Sequence, residues 1–387
     1  MYQQVKLDEL CVHKIETISS DENGLIDYFD IASVDNTKKK IISHQSLKIE
    51  EAPSRAKQIV QLNDILVSTV RPNLNAVTII DNETKNKMVA STGFCVLRAS
   101  EKLEPRYLFY FVQSPTFINS MTAQATGASY PAVSNSIVKS SHIPLPDLPT
   151  QRRIADTLDK VSEGIEVCRR MLGELDLMVK AKFVEMFGDP VSNPMGWEEK
   201  KLVQVCKKLT DGTHFSPESF ATGAYKYVTA KNIRINGFDF SNITYISEEV
   251  HRPIYERCNP EYGDVLYIKD GVTTGIAMVN TLHEEFSLLS SVALLKQDRN
   301  VINGYFLCGV LNNAEMYSNI RMNMGGAAIT RLTIAKLNEI QVIVPPIELQ
   351  EQFATFVSKS DKSRLTIQQV LSKMELEQKV LMQKYFG

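Results

Sequence analysis

Apolar residues recur at alternating steps of four and three over one long stretch of this chain, and the same alternation returns about 199 residues later. Between Pro146 and Gly188 they are Ile154, Leu158, Val161, Ile165, Cys168, Leu172, Leu175, Val179 and Met186, with Lys182 as an exception. Steps of four and three keep side chains on one stripe of a helix, so the pattern predicts a coiled-coil seam. Between Pro345 and Gly387 the equivalent positions are Phe353, Val357, Ser360, Arg364, Ile367, Leu371, Met374, Gln378, Leu381 and Tyr385, interrupted by polar residues at Ser360, Arg364 and Gln378. Proline before each stretch and glycine after it mark start and stop. Each helix should hold roughly 37 residues and run about 55 Å. A helix of that length with one apolar stripe needs a partner. The nearest is its own repeat, which the intervening globular segment can return alongside in an antiparallel pair.

The repeat extends beyond the helices. Lys6-Leu7 and Cys11 are echoed by Lys201-Leu202 and Cys206, Asn63-Asp64-Ile65-Leu66 by Gly263-Asp264-Val265-Leu266, Tyr107-Leu108-Phe109 by Tyr305-Phe306-Leu307, and Thr126-Gly127-Ala128 by Gly325-Gly326-Ala327. Short apolar runs at Ile65 to Val67, Val77 to Ile80 and Phe94 to Leu97 predict strands, and Pro105 to Val112 a short helix. The expected fold class is α+β. Two tandem mixed α/β domains, residues 1–145 and 191–344, are each followed by a long helix, 146–190 and 345–387, and the helices pack as an antiparallel coiled coil with a pseudo-two-fold internal repeat.

With 43% hydrophobic residues in 387 the chain can bury real cores. MYQQVKLDELCV lacks the charged-then-apolar order of a signal peptide, and no apolar run approaches the roughly 20 residues of a spanning helix, so a cytoplasmic protein is expected. The six cysteines are scattered without a C-x-x-C pair, which predicts buried thiols rather than a zinc site or disulfides. The six histidines have no H-x-x-x-H or H-E-x-x-H spacing, and no metal site is expected. Phosphate-loop, dinucleotide-turn and Asn-Pro-Pro-aromatic motifs are absent, so no catalytic residue is assigned. A formal charge of −2 argues against DNA binding by net charge alone, so if the chain binds DNA its lysines and arginines are expected to be segregated onto one face or a partner to supply part of the positive field.

Divergence between the copies is concentrated in loops. In the first copy, Ser68 to Asn75 carries Arg71, Asn73 and Asn75, whose planar side chains can read guanine and adenine edges; on this stretch alone, a polar hairpin loop with asparagines satisfying turn geometry is the favoured reading. Lys38 and Lys39 could contact phosphate or form a solvated loop, and Ser129 and Tyr130 could stack on nucleic acid or form a plain turn. In the second copy the candidates are Thr213 and His214 of Asp211-Gly212-Thr213-His214, then Lys231, Asn232, Arg234, Lys269, Thr273, Thr274 and Arg331. Each lies in a stretch that also suits an ordinary polar connection.

Taken together, the Pro144-Leu145-Pro146 to Ala155 and Pro345-Pro346 to Ala354 segments, Asp211 to Pro217, Thr229 to Ile233 and Gly263 to Lys269 resemble the specificity subunit of Type I restriction-modification systems over essentially the whole chain. The resemblance implies a non-catalytic reader whose two target-recognition domains each bind half of a split asymmetric DNA sequence, with the helix pair setting the unread spacer. It implies double-stranded DNA, two methyltransferase (modification) subunits and restriction/translocase subunits as partners. S-adenosylmethionine, ATP and Mg are expected on those partners and no cofactor on this chain. Helix ends around Gln151, Arg152, Gln350 and Gln352 are expected to dock partners. The alternatives are a coiled-coil scaffold for protein partners and the reader of a related restriction endonuclease class.

Overall fold

The computed structural model describes residues 2–19, 22–322 and 332–387. Contacts divide the chain into two compact units, 1–170 with 368–387, and 171–367. Each unit therefore contains one globular segment and portions of both long helices, Leu148–Phe187 and Ile347–Phe386.

In the first unit the strands Phe94–Leu97, Ile65–Ser68 and Val77–Ile79 form an antiparallel sheet in that order. Alternation places successive residues on opposite faces. Ile65, Val67, Cys95 and Leu97 face a core shared with the helices, while Leu66, Phe94 and Val96 face a second core. Against the second core lies a sheet ordered Gln45–Lys48, Leu25–Phe29, Lys87–Ser91 and Ala56–Ile59, whose two central strands run parallel. The second unit repeats this plan. Cys206–Asp211, Val292–Gln297, Val265–Ile268 and Ala277–Val279 form the antiparallel sheet, with Val265 and Tyr267 on the helix side and Leu266 and Ile268 on the other. Its partner sheet pairs Tyr225–Val228 in parallel with Phe286–Leu288.

The long helices pack antiparallel within each unit. In the first, Ile154 and Leu158 share a core with Met382 and Phe386, and Gly164 makes room for Met374, whose Cε would lie 2.1 Å from a Cβ at that position. In the second, Phe183 and Phe187 close on Phe353 with ring centroids 5.5 and 5.7 Å apart. The seam departs from the expected heptads at both helix ends. After Val179 the buried residues are Phe183 and Phe187, not Lys182, and in the second helix Met382 and Phe386 are more buried than Leu381 and Tyr385. Steps of four follow the intrinsic 3.6-residue turn once the helix meets its globular segment.

Two of the three polar interruptions in the second seam are paired, while Ser360 is buried with its hydroxyl unpartnered among the described residues. Gln378 donates to Ser162 Oγ at 2.9 Å in the first unit. Arg364 forms an ion pair with Asp176 in the second. A polar pair on the seam is satisfied in one alignment and orphaned in a slipped one, which specifies register.

Gln151 and Gln350 are both fully buried. Gln151 Oε1 accepts from Glu104 N–H at 2.8 Å while its amide donates to Lys102 O at 3.1 Å and Pro146 O at 2.8 Å. Gln350 does the same with Asn303 N–H at 2.9 Å, Val301 O at 3.2 Å and Pro345 O at 2.7 Å. These clasps tie the first turn of each helix to its globular segment. They also align Glu104 with Asn303, so Leu108 matches Leu307 and the echo read as Tyr107 with Tyr305 is shifted by one residue.

Both glutamines are thereby corrected as docking residues, because their polar atoms are used inside the fold. All six cysteines are free thiols, five buried and Cys206 half-buried. Among the described residues no helix is long and apolar enough to cross a membrane. Replacing Gln151 with leucine should orphan a backbone donor and two carbonyls and lower unfolding stability by about 1–3 kcal/mol. Urea unfolding should show an earlier midpoint for this variant, whereas exposed Gln352→Leu should leave the midpoint unchanged.

Candidate nucleic-acid interface

In the first unit, the loop after Ile65–Ser68 turns through a short 3-10 helix, Pro72–Leu74, flanked by Arg71 and Asn75 in the left-handed region at φ 49° and 46°. Proline fixes the turn's first residue, and asparagine tolerates the left-handed conformation better than arginine does. Arg71 is held there by its N–H, which donates to Pro131 O at 2.7 Å. Its guanidinium lies 4.7 Å from the centre of the Tyr130 ring. Bridges from Val70 and Thr126 to Ala132 bring the two loops together. Lys39 reaches the same place, donating from Nζ to Asn75 Oδ1 at 3.0 Å.

The structure thus gathers Lys39, Arg71, Asn75 and Tyr130, with Lys38, Asn73 and Ser129 exposed on the contributing loops. Asn75 is corrected as a base reader: it is buried, and its amide donates to Val112 O at 2.9 Å. Burial pushes the Lys39 ammonium down to about 8, opposed by the nearby Asp35 carboxylate.

In the second unit, Asp211 to His214 follows the edge strand of the antiparallel sheet. A Cβ on Gly212 would lie 2.0 Å from Leu288 O, so only glycine fits there. Thr213 is buried, its N–H donating to Leu288 O at 2.8 Å and its carbonyl accepting from Ser290 N–H at 2.8 Å. His214 projects outward, with Nε2 3.1 Å from Asp211 Oδ1. Lys231 and Arg234 are exposed on a hairpin whose turn Asn232 builds, accepting from Thr229 N–H at 3.0 Å and donating to Asp239 O at 3.1 Å. Arg234 also pairs with Asp239 at 2.9 Å.

Lys269 is 1% exposed and Thr274 fully buried. The Thr274 hydroxyl donates to Gly271 O at 2.6 Å, and Thr273 is half-buried in the same turn. Thr213, Asn232, Lys269 and Thr274 are therefore corrected from contact residues to supports of the loops. Arg331, like the Gly325-Gly326-Ala327 echo, lies outside the described residues.

Sequence reasoning missed Arg321, which stacks 5.4 Å from the Tyr317 ring centre and donates to Thr274 O at 3.0 Å, holding the 271–275 loop. It also missed Val272, 90% exposed at that loop's tip, and Leu74 on the first copy's loop, 48% exposed. Isolated apolar residues in polar loops were the available signal, and such side chains suit contact with a thymine methyl. On the helices, exposed Met171 and Leu177 recur at the matching positions as exposed Val370 and Leu376. Arg152 is exposed and pairs with Glu104 at 3.3 Å, and Gln352 is exposed.

Residues 1–175 and 194–378 match the family model described as Type I restriction modification DNA specificity domain. The chain is 22% identical over 292 residues to the Type I restriction enzyme MjaIX specificity subunit of Methanocaldococcus jannaschii, covering 70% of this chain and 66% of that protein. It is 27% identical over 158 residues to the HindI specificity subunit of Haemophilus influenzae, covering 40% of this chain and 34% of that one. These two matches thus span less than two thirds of the relatives' own lengths. Among solved structures, the type I restriction-modification S subunit from M. genitalium aligns at TM-score 0.62 and 17% identity, covering 100% and 96% of the two chains. A chain from a type I R-M system studied for complex assembly and conformational transition aligns at TM-score 0.58 and 24% identity, covering 100% and 97%. Both likenesses show the fold.

Lys39 yields a pH test. Its folded value lies below that of an unfolded lysine, so keeping the proton costs stability below about pH 8, and the penalty fades as pH rises toward about 10.4. Relative to Lys39→Met, the natural chain should gain stability between about pH 8 and about pH 10.4, by less than the full linkage value because the group keeps some solvent screening. Thermal unfolding of both proteins across that range measures the difference.

Proposed function

This chain belongs to the Type I restriction-modification DNA specificity family, and from that premise we propose that it is the non-catalytic subunit that reads a split asymmetric site in double-stranded DNA. The observation that carries the proposal is the pairing of one repeated scaffold with two chemically different loop clusters. The first presents Arg71 stacked on Tyr130 beside Lys39. The second presents His214 on the buried Asp211–Lys269 pair, with Lys231 and Arg234 exposed on another loop of the same unit. Equal scaffolds with unequal loops suit two half-sites of different sequence. Lysine and arginine at the loops supply the local positive field that a chain of net charge −2 lacks overall.

Two methyltransferase subunits fit the twofold repetition of exposed apolar positions on the helices, Met171 and Leu177 on one and Val370 and Leu376 on the other. In this proposal those partners bring S-adenosylmethionine and methylate adenine after flipping it from the stack. Restriction/translocase subunits bring ATP and Mg. The work left to this chain is to hold the assembly at its sequence, in the cytoplasm where the DNA lies.

Methylome sequencing of a methylation-free host tests this. Co-expression of the chain with its modification subunit should produce methyladenine in both halves of a split motif, absent with the modification subunit alone. A soluble complex without new methylation would favour a protein-binding scaffold. Arg71→Ala should weaken the first domain's half-site, by about 1–3 kcal/mol if the guanidinium contacts a base edge bidentately. Competition binding with duplexes altered in each half measures that loss, and undiminished discrimination would remove Arg71 from the interface.

A further inference from the structure

The second unit buries a charge where the first does not. Thr69 and Lys269 are equivalent: their N–H groups donate to Gly93 O and Ser291 O, and their carbonyls accept from Val133 and Leu332. Thr69 satisfies its side chain with one bond to Gly93 O at 2.9 Å. Lys269 instead places an ammonium 3.3 Å from Asp211 Oδ2 and 3.3 Å from Asp270 Oδ2. Burying a charge where a hydroxyl suffices is expensive unless carboxylates compensate it. The other copy carries no charge here, so the lysine belongs with the carboxylates it meets, and of these Asp211 also holds a half-exposed histidine.

Asp211 Oδ1 faces the Arg257 guanidinium at 3.5 Å and His214 Nε2 at 3.1 Å. A carboxylate set between an ammonium and a guanidinium is an acceptor only, so the imidazole bonds to it through Nε2–H. In the neutral ring Nδ1 is then the acceptor, and among the described residues it makes no other hydrogen bond. The loop beneath is fixed by Gly212, by the paired Thr213 backbone and by Arg257, which donates to Gly212 O. The His214 side chain is 57% exposed.

We propose that the buried Lys269–Asp211 pair fixes the direction and tautomer of His214, so that Nδ1 accepts a hydrogen bond from the exocyclic amino group of one cytosine or adenine in the second domain's half-site. His214 is then a specificity-determining residue, and Lys269 and Asp211 are positioning residues. Amino groups of these two bases are the donors the major groove offers to such an acceptor. The proposal rests on the DNA-reading function above.

The test uses the intact assembly of this chain with its modification subunits, on duplexes carrying every base substitution across the methylated site. His214→Ala should relax discrimination at one base pair, by about tenfold, and leave the first half-site unchanged. Asp211→Asn and Lys269→Met should relax that same base pair. A duplex whose base at that position lacks the amino group should bind the natural assembly more weakly and the His214→Ala assembly equally well.

Undiminished discrimination in His214→Ala, or equal response of both assemblies to the amino-less duplex, would overturn the proposal. So would uniform weakening on all sequences by Asp211→Asn and Lys269→Met, the result expected of a merely structural pair. If those two variants fail to assemble, His214→Ala and the amino-less duplex still decide whether the contact exists. Loss of discrimination at every position by the natural assembly would instead overturn the DNA-reading function and this proposal with it.

Discussion

An apolar stripe along forty residues of helix cannot face water, and in each unit the partner helix covers it. Once the pair is antiparallel, the remaining choices narrow. Arg364 needs the carboxylate of Asp176, Gln378 needs the hydroxyl of Ser162, and Met374 needs the space left by Gly164. A slip by one heptad would set Arg364 against Phe183 or Arg169 in place of Asp176, leaving a guanidinium without its carboxylate. Hydrophobic burial makes the pairing favourable, and these few polar and steric demands make it unique.

The same scaffold supports two kinds of loop. In the first unit an exposed arginine, Arg71, stacks on Tyr130 from the neighbouring loop. In the second, Arg321 stacks on Tyr317 within one helix and turns its guanidinium to the backbone of the loop. An arginine–tyrosine pair thus faces outward in one copy and braces a loop in the other. Thr69 and Lys269 differ likewise, one neutral and self-contained, the other the base of a charged network.

The helices, their orientation and the central strands were legible because periodicity and repetition report on many residues at once. Ile65 to Val67 and Phe94 to Leu97 are strands because each residue meets a core on one face or the other. The family resemblance was legible for the same reason. Side-chain fate in the loops was not. Asn75, Asn232 and Lys269 have the chemistry of DNA contacts, yet their partners are backbone atoms, a lysine ammonium or carboxylates brought close only by the fold. Lys182 failed as a seam position because its neighbour Phe183 follows the natural helical turn. Gln151 and Gln350 carried a usable signal: a polar residue kept in both copies while its surroundings diverge points inward, to a shared structural task.

That task has a property bearing on how such a protein changes over generations. Each glutamine bonds only to main-chain atoms: Lys102, Glu104 and Pro146 in one case, Val301, Asn303 and Pro345 in the other. Main-chain atoms survive every substitution except those involving proline. The globular segments can therefore drift at their loops without loosening this part of their joint to the helix. Constancy is needed at the glutamine, along the local backbone path and in the apolar core shared with the helix, so heredity can vary the loops while leaving their mounting untouched.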